Sequence, residues 1–120
     1  MYDHIGLKVR NLDRSVDFYS AVLGALGYEV CSRGDGYAGL GPKGEPALWL
    51  YAADANAGSG THVAFKASQR SAVDRFHKAG VEHGGRDNGR PGVRADYSAN
   101  YYAAFLFDPD GNNVEAVCMS

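Results

Sequence analysis

The sequence predicts an α+β fold of two successive βαβββ modules within one domain of 120 residues. Three observations carry this. An alternating, strand-like segment followed by an amphipathic helix occurs twice, and short strand-like runs set apart by glycines follow each time. One common offset lays His4 on His62, Lys8 on Lys66 and Phe18 on Phe76, the mark of an internal repeat. Sixteen glycines together with 12% aromatic residues indicate many turns and short strands, because a disordered chain is poor in aromatics.

In module one (residues 1–53) Ile5, Leu7 and Val9 point one way and His4, Gly6 and Lys8 the other, as in a strand. Asn11 or Asp13 can cap the next helix, since either offers an oxygen to the unpaired N–H groups of its first turn. Val16, Tyr19, Leu23 and Leu26 recur at helical spacing, and Gly24 and Gly27 end the helix. Strand-like runs at 28–32, 36–40 and 47–52 complete the module, punctuated by Gly34, Gly41, Pro42 and Gly44. Residues 54–60 read as a polar linker.

In module two (residues 61–120) the run from Thr61 to Lys66 repeats the first alternation. Ser68 or Ser71 opens a helix that Gly80 stops, and strands are expected at 81–83, 93–97, 101–107 and 113–118. Asp108, Pro109 and Gly111 spell a tight turn, with Pro109 pre-setting φ at its second position. The glycine-rich stretch from Gly84 to Tyr102 carries Arg86, Arg90 and Arg94. It reads as a loop able to close over a polar or anionic substrate.

Composition narrows the partners. The net charge is -2 with both signs interspersed, so neither a nucleic-acid surface nor an anionic-membrane surface is indicated. There is no apolar run of membrane-spanning length and no basic-then-apolar leader, so a cytoplasmic protein is expected. Cys31 and Cys118 stand alone in strand-like contexts and read as reduced packing residues.

Alternation also places the polar residues. In both first strands the histidine lies opposite the aliphatic face. In the last strand Val114, Ala116 and Cys118 share one face and Glu115 takes the other. If Val114 and Ala116 pack under the helix, Glu115 joins His4 and His62 on the inner face of a curled sheet. Two imidazoles and a carboxylate suit a divalent Fe, Mn, Zn, Ni or Co ion. Such an ion would also offset the several kcal/mol that an unpaired buried carboxylate costs. Taken singly, each residue has an ordinary reading: a structural or exposed histidine, a solvated glutamate on an edge strand. His77 and His83 lack the pattern, and His77, beside Lys78 on a helix, reads as exposed.

At this point the chain resembles the vicinal oxygen chelate superfamily, the glyoxalase, bleomycin-resistance protein and extradiol dioxygenase group. The resemblance rests on DHIGLKVRNLDRSVDFYSAVLGALGYEV, THVAFKA and YYAAFLFDPDGNNVEAV. It implies a glyoxalase-like fold, with curled mixed sheets around a concave metal site, and His4, His62 and Glu115 as metal ligands. Trp49, in ALWLY, stands where glyoxalase I proteins carry Glu or Gln, so efficient glyoxalase I turnover is not expected. The resemblance instead implies a metal-dependent lyase, isomerase or dioxygenase acting on a small oxygenated substrate chelated to the metal. Glu115 and Tyr101 are the candidate catalytic residues, and Trp49, Tyr51, Phe105 and Arg94 the candidate substrate-binding residues. Trp49 shares a strand face with Tyr51, and Tyr101 with Phe105; Tyr102 and Leu106 share the opposite face, and either face could be inside.

Three alternatives stand beside this reading. One is a non-catalytic antibiotic binder of the bleomycin-resistance kind. Another is a fosfomycin-type thiol transferase, which would call for further basic residues after the last strand. The third is a scaffold or sensor with a vestigial site. Each module is an open curl whose edges need cover, so a homodimer is expected. In its exchanged form His4 comes from one chain, and His62 with Glu115 from the other.

Overall fold

The computed structural model describes residues 1–53 and 60–120. Its first half runs β1 (Ile5–Val9), α1 (Leu12–Gly24), β2 (Glu29–Gly34), β3 (Tyr37–Gly41) and β4 (Leu48–Ala52). Its second half runs β5 (His62–Lys66), α2 (Arg70–Glu82), β6 (Arg86–Val93), β7 (Tyr102–Phe107) and β8 (Asn113–Cys118). The sheets have the orders β1-β4-β3-β2 and β5-β8-β7-β6, with β1 parallel to β4, β5 parallel to β8 and the other pairs antiparallel. Two βαβββ modules of identical topology are therefore present, as expected. Apart from Gly60, the linker expected at 54–60 lies outside the described residues. Among the described residues no helix is long and apolar enough to cross a membrane.

The helices form the middle of the molecule. Each packs on its own sheet, and α1 packs on α2. Phe18, Tyr19, Val22, Val73 and Phe76 from the helices join Leu40, Leu50, Leu106, Val114 and Ala116 from the sheets in one core. Strand alternation then fixes which residues face away from the helices. In sheet one these include Gly6, Lys8, Trp49 and Tyr51; in sheet two, His62, Ala64, Phe105 and Glu115. His4 lies one residue before β1, outside the ladder. Of the two cap candidates, Asn11 is the N-cap of α1, its side chain accepting from Arg14 N at 3.1 Å. Asp13 falls in the first turn, where a negative charge complements the helix dipole.

Module two departs from expectation in three places. First, α2 runs through Gly80 to Glu82, so residues 81–83 close a helix and form no strand. Gly80 serves packing: a Cβ there would lie 2.2 Å from Leu106 Cδ1 and 3.1 Å from Val22 Cγ1. The left-handed Gly84, at φ +94°, follows the helix end. Second, neither serine caps α2. Gln69 is the N-cap and makes no side-chain cap bond; Ser71 Oγ donates to its Oε1. Third, the eight residues Arg86–Val93 of the expected loop form β6, whereas the strand expected at 93–97 is present only at Val93. An edge strand tolerates Pro91 and its glycines because its outer N–H groups need no ladder partner, and the register shifts at Gly89 take up the irregularity.

The turn after β7 ties the modules together. Asp108 is only 2% exposed, and its Oδ1 accepts from the backbone N–H groups of Asp110 and Asn112 at 2.9 and 2.8 Å. Its Oδ2 accepts from Asn112 Nδ2 at 3.0 Å and from Tyr19 Oη of α1 at 2.5 Å. Asp110 accepts from Arg10 N and Ser15 Oγ at 3.0 and 3.3 Å. Burial, then the neighbouring Asp108 carboxylate, pushes the Tyr19 phenol well above its usual range, so Tyr19 is a permanent donor.

Candidate functional site

Glu115 lies on β8, an interior strand, on the face away from the helices, yet it is only 2% exposed. It is not the solvated edge residue that the ordinary reading supposes. Its Oε1 is 3.1 Å from His62 Nε2, and its Oε2 accepts from Tyr101 Oη at 2.5 Å. The two strands supply this meeting. β5 is hydrogen-bonded to β8 with Ala64 opposite Glu115, so His62, two residues earlier, reaches diagonally across. Phe105, directly opposite Glu115 on β7, stacks on the imidazole with centroids 6.5 Å apart and planes 19° apart.

Proton placement gives this pair its chemical meaning. His62 Nδ1 lies 3.2 Å from the carbonyl oxygen of Asn113. A carbonyl only accepts, so a hydrogen bond there puts the proton on Nδ1 and turns a lone pair of Nε2 toward Glu115 Oε1. Two lone pairs facing each other need a positive centre, a proton or a metal ion. The 3.1 Å gap matches neighbouring ligands on one ion with bonds of about 2.0–2.1 Å. The hydrogen bond to Glu115, then burial, raises the Tyr101 phenol to about 12. Tyr101 therefore holds its proton at neutral pH and donates it to Oε2, which fixes the rotation of the carboxylate. Alternation had left open which face of this strand is inside; the structure puts Tyr101 and Phe105 with Glu115.

His4 immediately precedes β1 and lines a groove with Val63 and Phe65 of β5. Its Nδ1 is 2.7 Å from Asp3 Oδ1, so its Nε2, too, is left as the ligand-ready nitrogen of an exposed side chain. Among the described residues no three His, Cys, Asp or Glu side chains of one chain come together as a metal set. Trp49 and Tyr51 share a sheet face with Gly6 and Lys8. The Trp49 ring covers Gly39, and the Tyr51 ring covers Gly6. Tyr37, which sequence reasoning missed, covers Gly34 and lies 6.3 Å from Trp49, centroid to centroid. The alternation of Tyr37 with Gly39 was the available signal. The repeat also makes Trp49 the counterpart of Glu115: Trp49 sits opposite Gly6, as Glu115 sits opposite Ala64.

Replacing Gly39 by alanine is expected to push the sole tryptophan off the sheet, because the new Cβ would meet the ring at 2.7 Å. The cost should be about 1–3 kcal/mol. Indole emission should move to the red and acrylamide quenching should increase; an unchanged spectrum would refute the packing.

On the other sheet Arg94 lies over Phe105, with Cζ 5.3 Å from the ring centroid, and Arg86 lies over Phe107 at 5.1 Å. His77 is not the exposed residue expected. Its side chain is only 15% exposed, because Nε2 meets Asp87 Oδ1 at 2.8 Å and pins α2 to β6. His83 pairs with Asp17 of α1 at 3.3 Å. Cys118 is buried, Cys31 is half-buried, and both are free thiols.

Comparison with known proteins agrees with this architecture. The family model of the Glyoxalase/Bleomycin resistance protein/Dioxygenase superfamily matches residues 2–116, and the chain belongs to that family. A glyoxalase/bleomycin resistance protein from Albidiferax ferrireducens T118 is 28% identical, with a TM-score of 0.87 over 100% of this chain and 99% of that one. A glyoxalase/bleomycin resistance protein/dioxygenase family enzyme from Burkholderia phytofirmans PsJN has the same fold, at 17% identity and TM-score 0.74 over 98% of each chain. So has a glyoxalase-related enzyme from Fulvimarina pelagi, at 17% identity and TM-score 0.73 over 95% of this chain and 84% of that one. Comparison with curated proteins gives no match.

Proposed function

We propose that this protein is a divalent-metal-dependent enzyme of the lyase, isomerase or dioxygenase type, acting on a small oxygenated substrate that chelates the metal. The observation that carries this is the buried Glu115 Oε1 facing a His62 Nε2 whose other nitrogen is already committed to Asn113. His62 and Glu115 would hold the ion together with His4 of a second chain. A bound divalent ion would act as a Lewis acid on the substrate oxygens. Tyr101 holds the carboxylate in place, and Phe105 excludes water from one side of the imidazole. Trp49 and Tyr51 would form a substrate wall.

The same geometry supports a homodimer. Among the described residues β1 and β5 are edge strands with no partner strand on their outer side. A groove of about 310 Å³ runs between them, lined by Ile5, Leu48, Val63 and Phe65 among others. A second chain entering there would cover both edges and bring its His4 to the His62–Glu115 pair. In this reading residues 1–120 act as one domain, with modules 1–53 and 61–120, in the cytoplasm and without a nucleic-acid or membrane partner.

The rings of Tyr37, Trp49 and Tyr51 favour a second reading, a non-catalytic binder of a flat antibiotic. Elemental analysis of protein purified without chelators separates the two. The enzyme reading expects about one metal ion per chain, and a large loss of it in His4→Ala, His62→Ala and Glu115→Ala with the fold retained. Full metal content in all three variants would refute the assignment, and a metal-free wild type would favour the binder.

A further inference from the structure

The outer face of sheet two carries a fixed positive charge that metal chelation does not use. Arg94 follows β6 and is half-buried. Its Nη1 donates to Gly92 O at 3.0 Å and its Nη2 to Arg90 O at 2.7 Å, while the guanidinium plane rests near Phe105. Gly89 leaves the room for this: a Cβ there would lie 3.0 Å from the Phe105 ring and 3.2 Å from Arg94 Nη2. The group is thus held in one place before any ligand arrives. Two of its five N–H donors are engaged, both by neutral carbonyls. Among the described residues no Asp or Glu lies within ion-pair distance of it. The nearby Asp87 is taken up by His77 and by Gly89 N. Arg86 and Arg90 on β6 add to the positive field. The same Phe105 ring contacts both His62, at 6.5 Å between centroids, and Arg94, so the guanidinium is one aromatic ring removed from the His62–Glu115 pair, within the span of a substrate a few carbons long.

We infer that the substrate carries an oxyanion group, carboxylate or phosphonate, apart from the oxygens that would chelate the metal, and that Arg94 receives it. This rests on the enzyme reading above and narrows it to acidic substrates. A planar guanidinium with remaining donors pairs with an oxyanion through two parallel hydrogen bonds, which a lysine cannot reproduce. The rigid mounting lowers the ordering cost of that pairing.

The test uses probes of equal chain length. 2-Oxovalerate and 2-oxoglutarate both present a chelating 2-oxo acid and differ only in a terminal methyl or carboxylate; 2-oxo-4-phosphonobutyrate supplies the phosphonate arm. Binding to the metal-loaded protein is followed by calorimetry. Wild type should bind an acid-ended probe about 10- to 100-fold more tightly than 2-oxovalerate. The stronger of the two acid-ended probes identifies the oxyanion. Arg94→Gln should erase the preference without weakening 2-oxovalerate, and Arg94→Lys should keep only part of it. Equal binding of all three probes by wild type would overturn the inference, as would an Arg94→Gln variant that loses every probe alike, the mark of a merely structural arginine. Metal content and melting temperature of the variants should match wild type. A second arm is independent of the metal: in metal-free protein, glutarate should shift the Arg94 Nε–Hε resonance, identified by its absence in Arg94→Lys. If wild type holds no metal but this shift occurs, the enzyme reading fails and the anion site stands; if metal binds and the shift is missing, the reverse holds.

Discussion

Mixing two inactive variants, His4→Ala and Glu115→Ala, should restore metal binding. In an exchanged dimer each site takes His4 from one chain and His62 with Glu115 from the other. A mixed dimer then contains one site with both defects and one with none. Random re-pairing makes half of the dimers mixed, so metal content should return from near zero to about a quarter of the wild-type value. The structure motivates the experiment directly. His62 and Glu115 meet at 3.1 Å within one chain, while His4, just before β1 of the other module, has its side chain against Asp3. A dimer with self-contained sites would recover nothing, and a monomer by sedimentation would refute the arrangement itself. Mixing should be done through mild denaturation and refolding, so that failure to exchange subunits is excluded by mass-tagging one variant.

The largest loss of stability is expected far from this site, in Asp108→Ala. That substitution removes a buried carboxylate and strands four donors at once: two backbone N–H groups, Asn112 Nδ2 and Tyr19 Oη. Each abandoned donor costs about 1–3 kcal/mol when water cannot replace the partner, less where the turn relaxes. A total of about 3–5 kcal/mol is reasonable, comparable to breaking a buried ion pair. For a chain of this size that lowers Tm by roughly 10–25 °C. Tyr19→Phe withdraws one donor and leaves Asp108 its other three, so about 1–2 kcal/mol should be lost. If both variants melt within a degree or two of wild type, the contact between α1 and the β7–β8 turn is not a structural tie.

The repeat was legible in the sequence because strand alternation and helical spacing are local signals. The shared face of Glu115 and its strand neighbours followed from it for the same reason, whereas His4 falls just outside β1. What failed was also local. Gly80 reads as a helix stop, yet it is the point where α2 approaches Leu106 and Val22, a tertiary fact that overrides propensity. The stretch RDNGRPGV reads as loop, yet an edge position lets it be β6. Asp108 was seen as a turn former; its bonding to Tyr19 joins residues 89 apart in sequence, which no local pattern encodes. The contacts that orient the site were equally hidden. Asn113 acts through a carbonyl that every residue possesses, and Tyr101 could have faced either way until its strand was placed beside β8.

The correspondence of Trp49 with Glu115 bears on stereochemistry. A cavity built from two like halves would by itself have a two-fold axis, and a ligand on that axis could bind in either of two equivalent poses. In the exchanged dimer proposed above, the repeat-related positions would hold an indole on one side and a carboxylate on the other. The backbone keeps the pseudo-symmetry while the side chains abolish it. A planar, prochiral molecule seated between such walls would present one enantiotopic face to the carboxylate and the other to the indole. The divergence between duplicated strands would thus select one of the two poses, while the handedness itself comes from the L-residue walls, which a two-fold rotation preserves.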